Sequence, residues 1–155
     1  MRIDYKRHDA VYRPLSGLSQ AVRQGPLDRR LIELVEVRAS QLNGCAHCLE
    51  MHTKIARSLG ESDDRLHLVA AWRDAPLFDE RERAALRWCE ELTLLSERDV
   101  PDELYEAVRA CFSEEELVHL TLAIVTINAW NRFAVGFRAP VGDYRVEPAG
   151  AGHHG

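Results

Sequence analysis

The chain has 155 residues, 46% hydrophobic and 29% charged, a composition typical of a globular protein with one core. The formal net charge is -5 and basic residues do not cluster with aromatic ones, which argues against a nucleic-acid partner. The N-terminus is polar, and no stretch approaches the roughly 18 consecutive apolar residues of a transmembrane span. We therefore expect a cytoplasmic protein without a membrane partner.

Apolar residues recur at helical spacing along nearly the whole chain, and no segment alternates as a strand does. Glycines, prolines and N-capping residues divide this pattern into seven predicted helices, the first of them after a turn at Pro14. They cover residues 15–23, 28–42, 45–59, 62–72, 79–95, a segment opened by Pro101, and 117–133 behind a capping box at Ser113. We expect an all-α helical bundle in a single domain over residues 1–138, followed by a flexible tail over 139–155.

The last predicted helix carries apolar residues around most of its circumference, at positions 120, 122–125 and 127. A helix of this kind needs partners on every side. It lies either at the centre of the bundle or at an interface between subunits, and we expect a homo-oligomer.

Residues with redox or metal chemistry are concentrated at the start of the third helix, where two residues separate Cys45 from Cys48. Four cysteines are too few for a disulfide-stapled secreted fold, so this pair is more typical of a catalytic, redox-sensing or metal-binding site than of a structural one. With about 100° between successive helical residues, Cys45, Cys48 and His52 share the apolar side of the helix. His47 points roughly the opposite way.

This arrangement suits thiol chemistry. Residues three apart in a helix have Cα atoms about 5 Å apart, within the range of a disulfide, and the positive end of the helix lowers a thiol pKa. His52 can accept the proton of Cys48 or hold an imidazolium beside its thiolate. A peroxide would oxidise that thiolate to a sulfenic acid, which the second thiol condenses to a disulfide. We predict Cys48 as the nucleophile and Cys45 as its resolving partner.

Two other interpretations of the pair stay open at this point. A zinc site would need one more ligand, and no second C-x-x-C or H-x-x-x-H pair is present. The pair could also be an inert part of the core. Candidates for the missing zinc ligand are Cys89, Cys111, His67 and His119.

The residues around the pair resemble a known family. Glu33 is followed after eleven residues by Cys45-Ala46-His47-Cys48 and after three more by His52. This pattern is similar to the signature of AhpD-like alkylhydroperoxidases, within the carboxymuconolactone decarboxylase superfamily. Further segments resemble the same family, so the resemblance spans about residues 27–137; they are 37–44, 51–54, 71–73, 80–86 and 126–132.

The resemblance implies an all-helical fold, homo-oligomers that are commonly trimers or hexamers, and reduction of hydroperoxides by an external dithiol. By position in the motif, Cys48 would be the peroxidatic cysteine, Cys45 its disulfide partner and proton donor, and His52 the base. Glu33 would assist through a proton relay, although helical geometry alone predicts a solvated charge there. His47 would contribute to the same network. No metal or organic cofactor is implied.

We therefore predict a thiol-dependent peroxidase or disulfide oxidoreductase. One alternative is a redox sensor or structural oligomer whose disulfide state controls assembly. Another is a decarboxylase-like enzyme of the same superfamily, although that chemistry does not need the cysteine pair. His153 and His154 lie in the predicted tail, where metal binding would be incidental.

Overall fold

In the computed structural model, which describes residues 1–146, the chain forms seven α-helices and, within that range, no strand. A short 3-10 helix precedes the first and another follows the fourth, at Tyr5–Arg7 and Val69–Ala71. The predicted all-α bundle is confirmed. His153 and His154 lie outside the described residues. The helices are α1 (Asp9–Arg23), α2 (Arg29–Leu42), α3 (Ala46–Ser58), α4 (Asp63–Leu68), α5 (Glu80–Thr93), α6 (Asp102–Arg109) and α7 (Glu114–Phe137).

Side-chain caps begin several helices where the sequence signals predict them. Asp28 caps α2 and Ser62 caps α4. Ser113 forms a capping box with Glu116 at the start of α7. Each cap satisfies backbone N–H groups that have no partner inside the helix and contributes about 1 kcal/mol. The predicted starts of these helices are close to the observed ones because the capping chemistry is local.

The first helix differs from its prediction. α1 begins at Asp9 instead of Leu15, and Pro14 lies inside the helix rather than in a turn. Proline removes the hydrogen bond to the carbonyl four residues earlier, which belongs to Ala10. Both residues are exposed, so water can bond that carbonyl instead. The turn interpretation was wrong because the missing bond falls on the solvent side of the helix.

α7 is the central helix of the bundle and packs against α1, α2, α3, α5 and α6. Its buried side includes Leu120, Ile124 and Ile127, whereas Val118 and Val125 on the opposite side are 63% and 53% exposed. By length and hydropathy α7 could cross a membrane, a test that the core helix of a globular bundle also passes. Within the described part of the chain, only one side of α7 is covered by other helices. The opposite side, with Val118 and Val125, stays exposed, and the homo-oligomer that would cover it remains a prediction.

A tight turn at Asn43 and Gly44 joins α2 to α3 and reverses the chain. Gly44 has a φ of +63°, in the left-handed region where a side chain would be strained. The N–H of Cys45 then donates to the carbonyl of Ser40 at 3.0 Å and closes the end of α2. This turn lays α3 against α2 and places Cys45 directly before the first residue of α3.

The described part of the predicted tail lies against α3. Backbone groups of residues 140–144 bond side chains that share one face of that helix. This part of the tail is therefore tied down, beside the cavity described below. The bonds join the Pro140 carbonyl to His47 Nδ1 at 2.6 Å, the Gly142 N–H to a Glu50 oxygen at 2.7 Å, and Lys54 Nζ to the Tyr144 carbonyl at 2.9 Å.

Candidate active site

Cys45 is the N-cap of α3 rather than its first helical residue, with an extended backbone at φ -89° and ψ 93°. Its Sγ accepts the N–H of Cys48 at 3.3 Å, the role that a serine or aspartate oxygen plays at other helix starts. Both residues are 1% exposed, and both thiols are free. The structure thus brings the two predicted thiols together at a helix N-terminus.

The two thiols hold their shared proton unequally. Hydrogen bonding by the Cys48 thiol lowers the pKa of Cys45 to about 7, although burial opposes this shift. The same contact raises the pKa of Cys48, and burial raises it further. At neutral pH the thiolate therefore resides mainly on Cys45 and the proton on Cys48.

His52 lies one turn after Cys48 and is 6% exposed. Its Nδ1 is 2.8 Å from Oε2 of Glu33 and 3.1 Å from Oε2 of Glu36. Burial disfavours charge on the ring, but the two carboxylates outweigh burial and raise the pKa of His52 to about 10. His52 is therefore an imidazolium at neutral pH. It is a proton donor in this state, which favours the imidazolium over the base among the two roles predicted for His52.

Glu33 is 2% exposed and lies beside His52, so the solvated charge that helical geometry predicts is wrong. The proton relay that the family resemblance implies stays a prediction. Arg29, one turn earlier on α2, reaches Glu33 Oε1 at 3.3 Å. Sequence reasoning missed Glu36, whose pKa is raised by burial and by the charge of Glu33, while His52 opposes that shift. The available signal was its spacing, because residues three apart on α2 share a face.

A cavity of about 170 Å³ opens in front of this group, and its lining includes Cys48, His52, Glu33 and Glu36. Cys45 does not line it and lines a second, more open cavity instead, so a molecule that enters the first cavity meets the sulfur of Cys48. The Nε2 atom of His52 is buried without a hydrogen-bond partner. Such a group costs about 1–3 kcal/mol when it stays unpaired, so His52 Nε2 is a ready donor to a ligand.

His47 lines the same cavity, although helical geometry directs it away from the thiols. Its Nδ1 lies 2.6 Å from the carbonyl of Pro140, which holds the ring toward the C-terminal segment. Within residues 1–146 no hydrogen bond joins His47 to Cys48 or His52. The role of His47 in the proton network stays a prediction.

Asn131 of α7 is a further residue at the thiol pair, and sequence reasoning did not identify it as a site residue. Its side-chain amide lowers the pKa of both thiols. Its Oδ1 accepts from Asn43 at 2.9 Å, and its Nδ2 donates to Ser40 Oγ at 3.1 Å. These bonds fix Asn131 behind the pair. The available signal in the sequence was an amide within a predicted helix of mostly apolar residues.

Potential metal ligands lie together at one place among residues 1–146, where oxygen and nitrogen atoms of Glu33, Glu36 and His52 are within 4.8 Å of one another. Contacts of His52 and Arg29 with these carboxylates already balance their charge. Neither thiol joins the cluster, and Cys89 instead donates to a backbone carbonyl. The described residues therefore assemble no four-ligand zinc site around the pair.

The fold and the site define an AhpD-like all-helical protein. A family model described as the carboxymuconolactone decarboxylase family matches residues 9–91. The uncharacterized protein YdfG of Bacillus subtilis is 41% identical over 121 residues, which cover 78% of this chain and 82% of YdfG. The chain belongs to the carboxymuconolactone decarboxylase family.

Solved structures share the fold. A protein of unknown function from Agrobacterium tumefaciens, described as a candidate antioxidant defence protein AhpD, superimposes with a TM-score of 0.86 at 41% identity. That match covers 94% of this chain and 99% of the other. An uncharacterized peroxidase-related protein from Ralstonia eutropha, an alkylhydroperoxidase AhpD core, has a TM-score of 0.79 at 22% identity over 90% of this chain and 74% of its own. The second likeness shows the fold alone.

Proposed function

We propose that this protein is a thiol-dependent peroxidase that reduces hydroperoxides through the Cys45–Cys48 pair and is recycled by an external dithiol. One observation carries the proposal. The Cys48 thiol lines the cavity together with the unpartnered Nε2 of His52, and the Cys45 sulfur, outside that lining, accepts the Cys48 N–H. A nucleophile and a proton donor thus meet at one opening, and a proton acceptor lies next to the nucleophile.

The first step uses all three groups. The Cys45 thiolate takes the proton of Cys48 as the Cys48 sulfur attacks the outer oxygen of a hydroperoxide. The O–O bond breaks, and His52 Nε2 gives its proton to the departing alkoxide. The products are an alcohol, a Cys48 sulfenic acid, a neutral His52 and a protonated Cys45, so atoms and charge balance.

The second step closes the disulfide. The Cys45 sulfur displaces hydroxide from the Cys48 sulfenic acid, and the Cys45 proton leaves with that hydroxide as water. An external dithiol then exchanges with the disulfide, is itself oxidised to a disulfide, and returns two protons to the site. In this cycle Cys45 serves first as proton acceptor and then as resolving thiol, and His52 serves as acid rather than as the base of Cys48.

Steady-state reduction of cumene hydroperoxide with several dithiol donors tests the proposal. We expect turnover by the wild type and background rates for Cys48→Ser and Cys45→Ser. Cys111→Ser is the matched control, because Cys111 lies outside the cavity lining. Full turnover by Cys48→Ser would contradict the proposal. Oxidation that changes oligomer size without turnover would instead indicate the redox sensor.

A further inference from the structure

The cavity collects positive charge on a protein that is acidic as a whole. The formal net charge of the chain is -5, yet the lining includes the cations Lys6, Arg23, Arg29 and Arg145. They come from separate parts of the chain, before α1, in α1, at the start of α2 and in the C-terminal segment. The fold therefore brings together cations that are scattered in the sequence.

The two carboxylates of the lining do not neutralise this charge. Glu33 and Glu36 both contact His52, and Glu33 also contacts Arg29. Two anions are thus matched by two cations within the buried group. Lys6 and Arg23 form no ion pair within the part of the chain that the structure describes.

One buried donor in the lining also lacks an acceptor. The Nη2 atom of Arg29 contacts Glu33, but its Nε–H is buried and unpartnered. Burial without a hydrogen bond is costly for such a group, so an acceptor supplied by a ligand stabilises it. An anionic oxygen is the strongest acceptor for a guanidinium.

The remaining lining is mostly apolar. It includes an indole and aliphatic or thioether side chains, which favour a ligand with a hydrophobic body. They are Val22, Ile32, Met51, Ile55, Ala134 and Trp130. The cavity therefore combines a reactive thiol, an apolar wall and an excess of cations.

Resting on the peroxidase function proposed above, we propose that the substrate is a hydroperoxide with an apolar body and a carboxylate. Its peroxide group meets Cys48 and His52, and its body lies against Trp130. Its carboxylate accepts from the unpartnered Nε–H of Arg29 and is attracted by Arg23 and Lys6 beside it. These two side chains determine specificity and take no part in the chemistry.

Three matched peroxides test this proposal, cumene hydroperoxide, its para-carboxylate and the methyl ester of that carboxylate. We expect wild-type kcat/KM to be about tenfold higher for the carboxylate than for the ester, with the preference falling as salt rises. Arg23→Gln and Lys6→Gln should each lower kcat/KM for the carboxylate by about threefold to tenfold and leave the ester unchanged. Arg87→Gln, an exposed cation outside the lining, is the control and should change neither.

Equal kcat/KM for the carboxylate and the ester overturns the proposal, as does a preference that survives both substitutions. Thermal melting identifies a variant that fails to fold. If either Arg23→Gln or Lys6→Gln does so, the kcat/KM values of the other variant test the proposal. If no peroxide is turned over, the proposed peroxidase function is rejected, and the anion site can still be tested by binding. Quenching of tryptophan fluorescence then tests the anion separately, because Trp130 lines the cavity. Tighter binding of 4-isopropylbenzoate than of 4-isopropylbenzyl alcohol supports the anion site, and equal binding overturns it.

Discussion

Nδ1 of His52 lies 2.8 Å from Oε2 of Glu33, a residue nineteen positions earlier and on a different helix. Both side chains are buried, so the pair exists only when α2 and α3 are packed together. Packing of the two helices therefore determines the charge of the histidine that faces the cavity.

Replacing Glu33 by glutamine should lower the pKa of His52 from about 10, because the imidazolium loses a charged partner while the side-chain volume is kept. We expect a fall of about one to two units, since Glu36 still contacts the ring. Titration of the His52 ring protons by NMR measures it. Glu115→Gln, an exposed substitution on α7, is the control and should leave the titration unchanged. An unchanged His52 titration in Glu33→Gln would contradict the ion pair.

The raised pKa of His52 also predicts how stability depends on pH. The folded protein binds the His52 proton more tightly than the unfolded chain, so this stabilisation is complete below the ordinary value of 6.5. It is lost as pH rises through about 10. The measurement is urea unfolding of Cys45→Ser, a variant that removes one titrating thiol. Its free energy of unfolding should therefore fall as pH rises from 6.5 to about 10. The same measurement on Cys45→Ser/His52→Gln should show a smaller pH dependence, and equal slopes would disprove the coupling.

The Cys45 thiol should lose its proton near neutral pH, because its pKa is lowered to about 7. Ultraviolet absorbance of the thiolate, followed against pH, should show this step in the wild type. Cys48→Ser replaces the thiol that makes the largest contribution, and a serine hydroxyl donates a hydrogen bond in its place. Cys48→Ala, which removes the donor altogether, should raise the Cys45 pKa above that of Cys48→Ser. If Cys45→Ser instead kept the full step near neutral pH, the thiolate would belong to Cys48.

Asn131 should influence both the stability of the bundle and the reactivity of the pair. Asn131→Ala leaves Ser40 Oγ without the amide that bonds it and removes one of the three acceptors of Asn43 Nδ2. It also removes the amide that lowers the pKa of both thiols. We expect a loss of about 2–3 kcal/mol in unfolding free energy and slower alkylation of Cys45 at neutral pH. Asn43→Ala is the matched control, because it breaks the same network but keeps the thiol contact. Equal alkylation rates in the two variants would show that Asn131 has no effect on the thiols beyond packing.

Much of the fold could be predicted from local sequence signals. The capping box at Ser113 and the Asn43-Gly44 break are chemical features of neighbouring residues, so they mark helix ends without knowledge of the tertiary structure. Pro14 misled the prediction because exposure, which is set by packing, decides whether a proline in the first turns is tolerated.

The site could be predicted only where its residues share a helix or a family motif. Cys45, Cys48 and His52 are a short segment, and Glu33 follows from the resemblance. Their charges could not be predicted, because the state of His52 depends on two carboxylates from α2 that oppose its burial. Asn131, Lys6 and Arg145 could not be predicted either, because they come from distant segments that only the folded chain brings together.

The cap at the start of α3 has a consequence for the oxidised protein. The Cys45 sulfur that accepts the Cys48 N–H is the same atom that a Cys45–Cys48 disulfide would use. A disulfide sulfur is a poorer acceptor than a thiolate, so oxidation would replace a helix end held by a hydrogen bond with one held by a covalent link. The Cys48 amide would then exchange with deuterium at a rate that reports the redox state, and each turnover would exchange one kind of link at the first turn of α3 for the other.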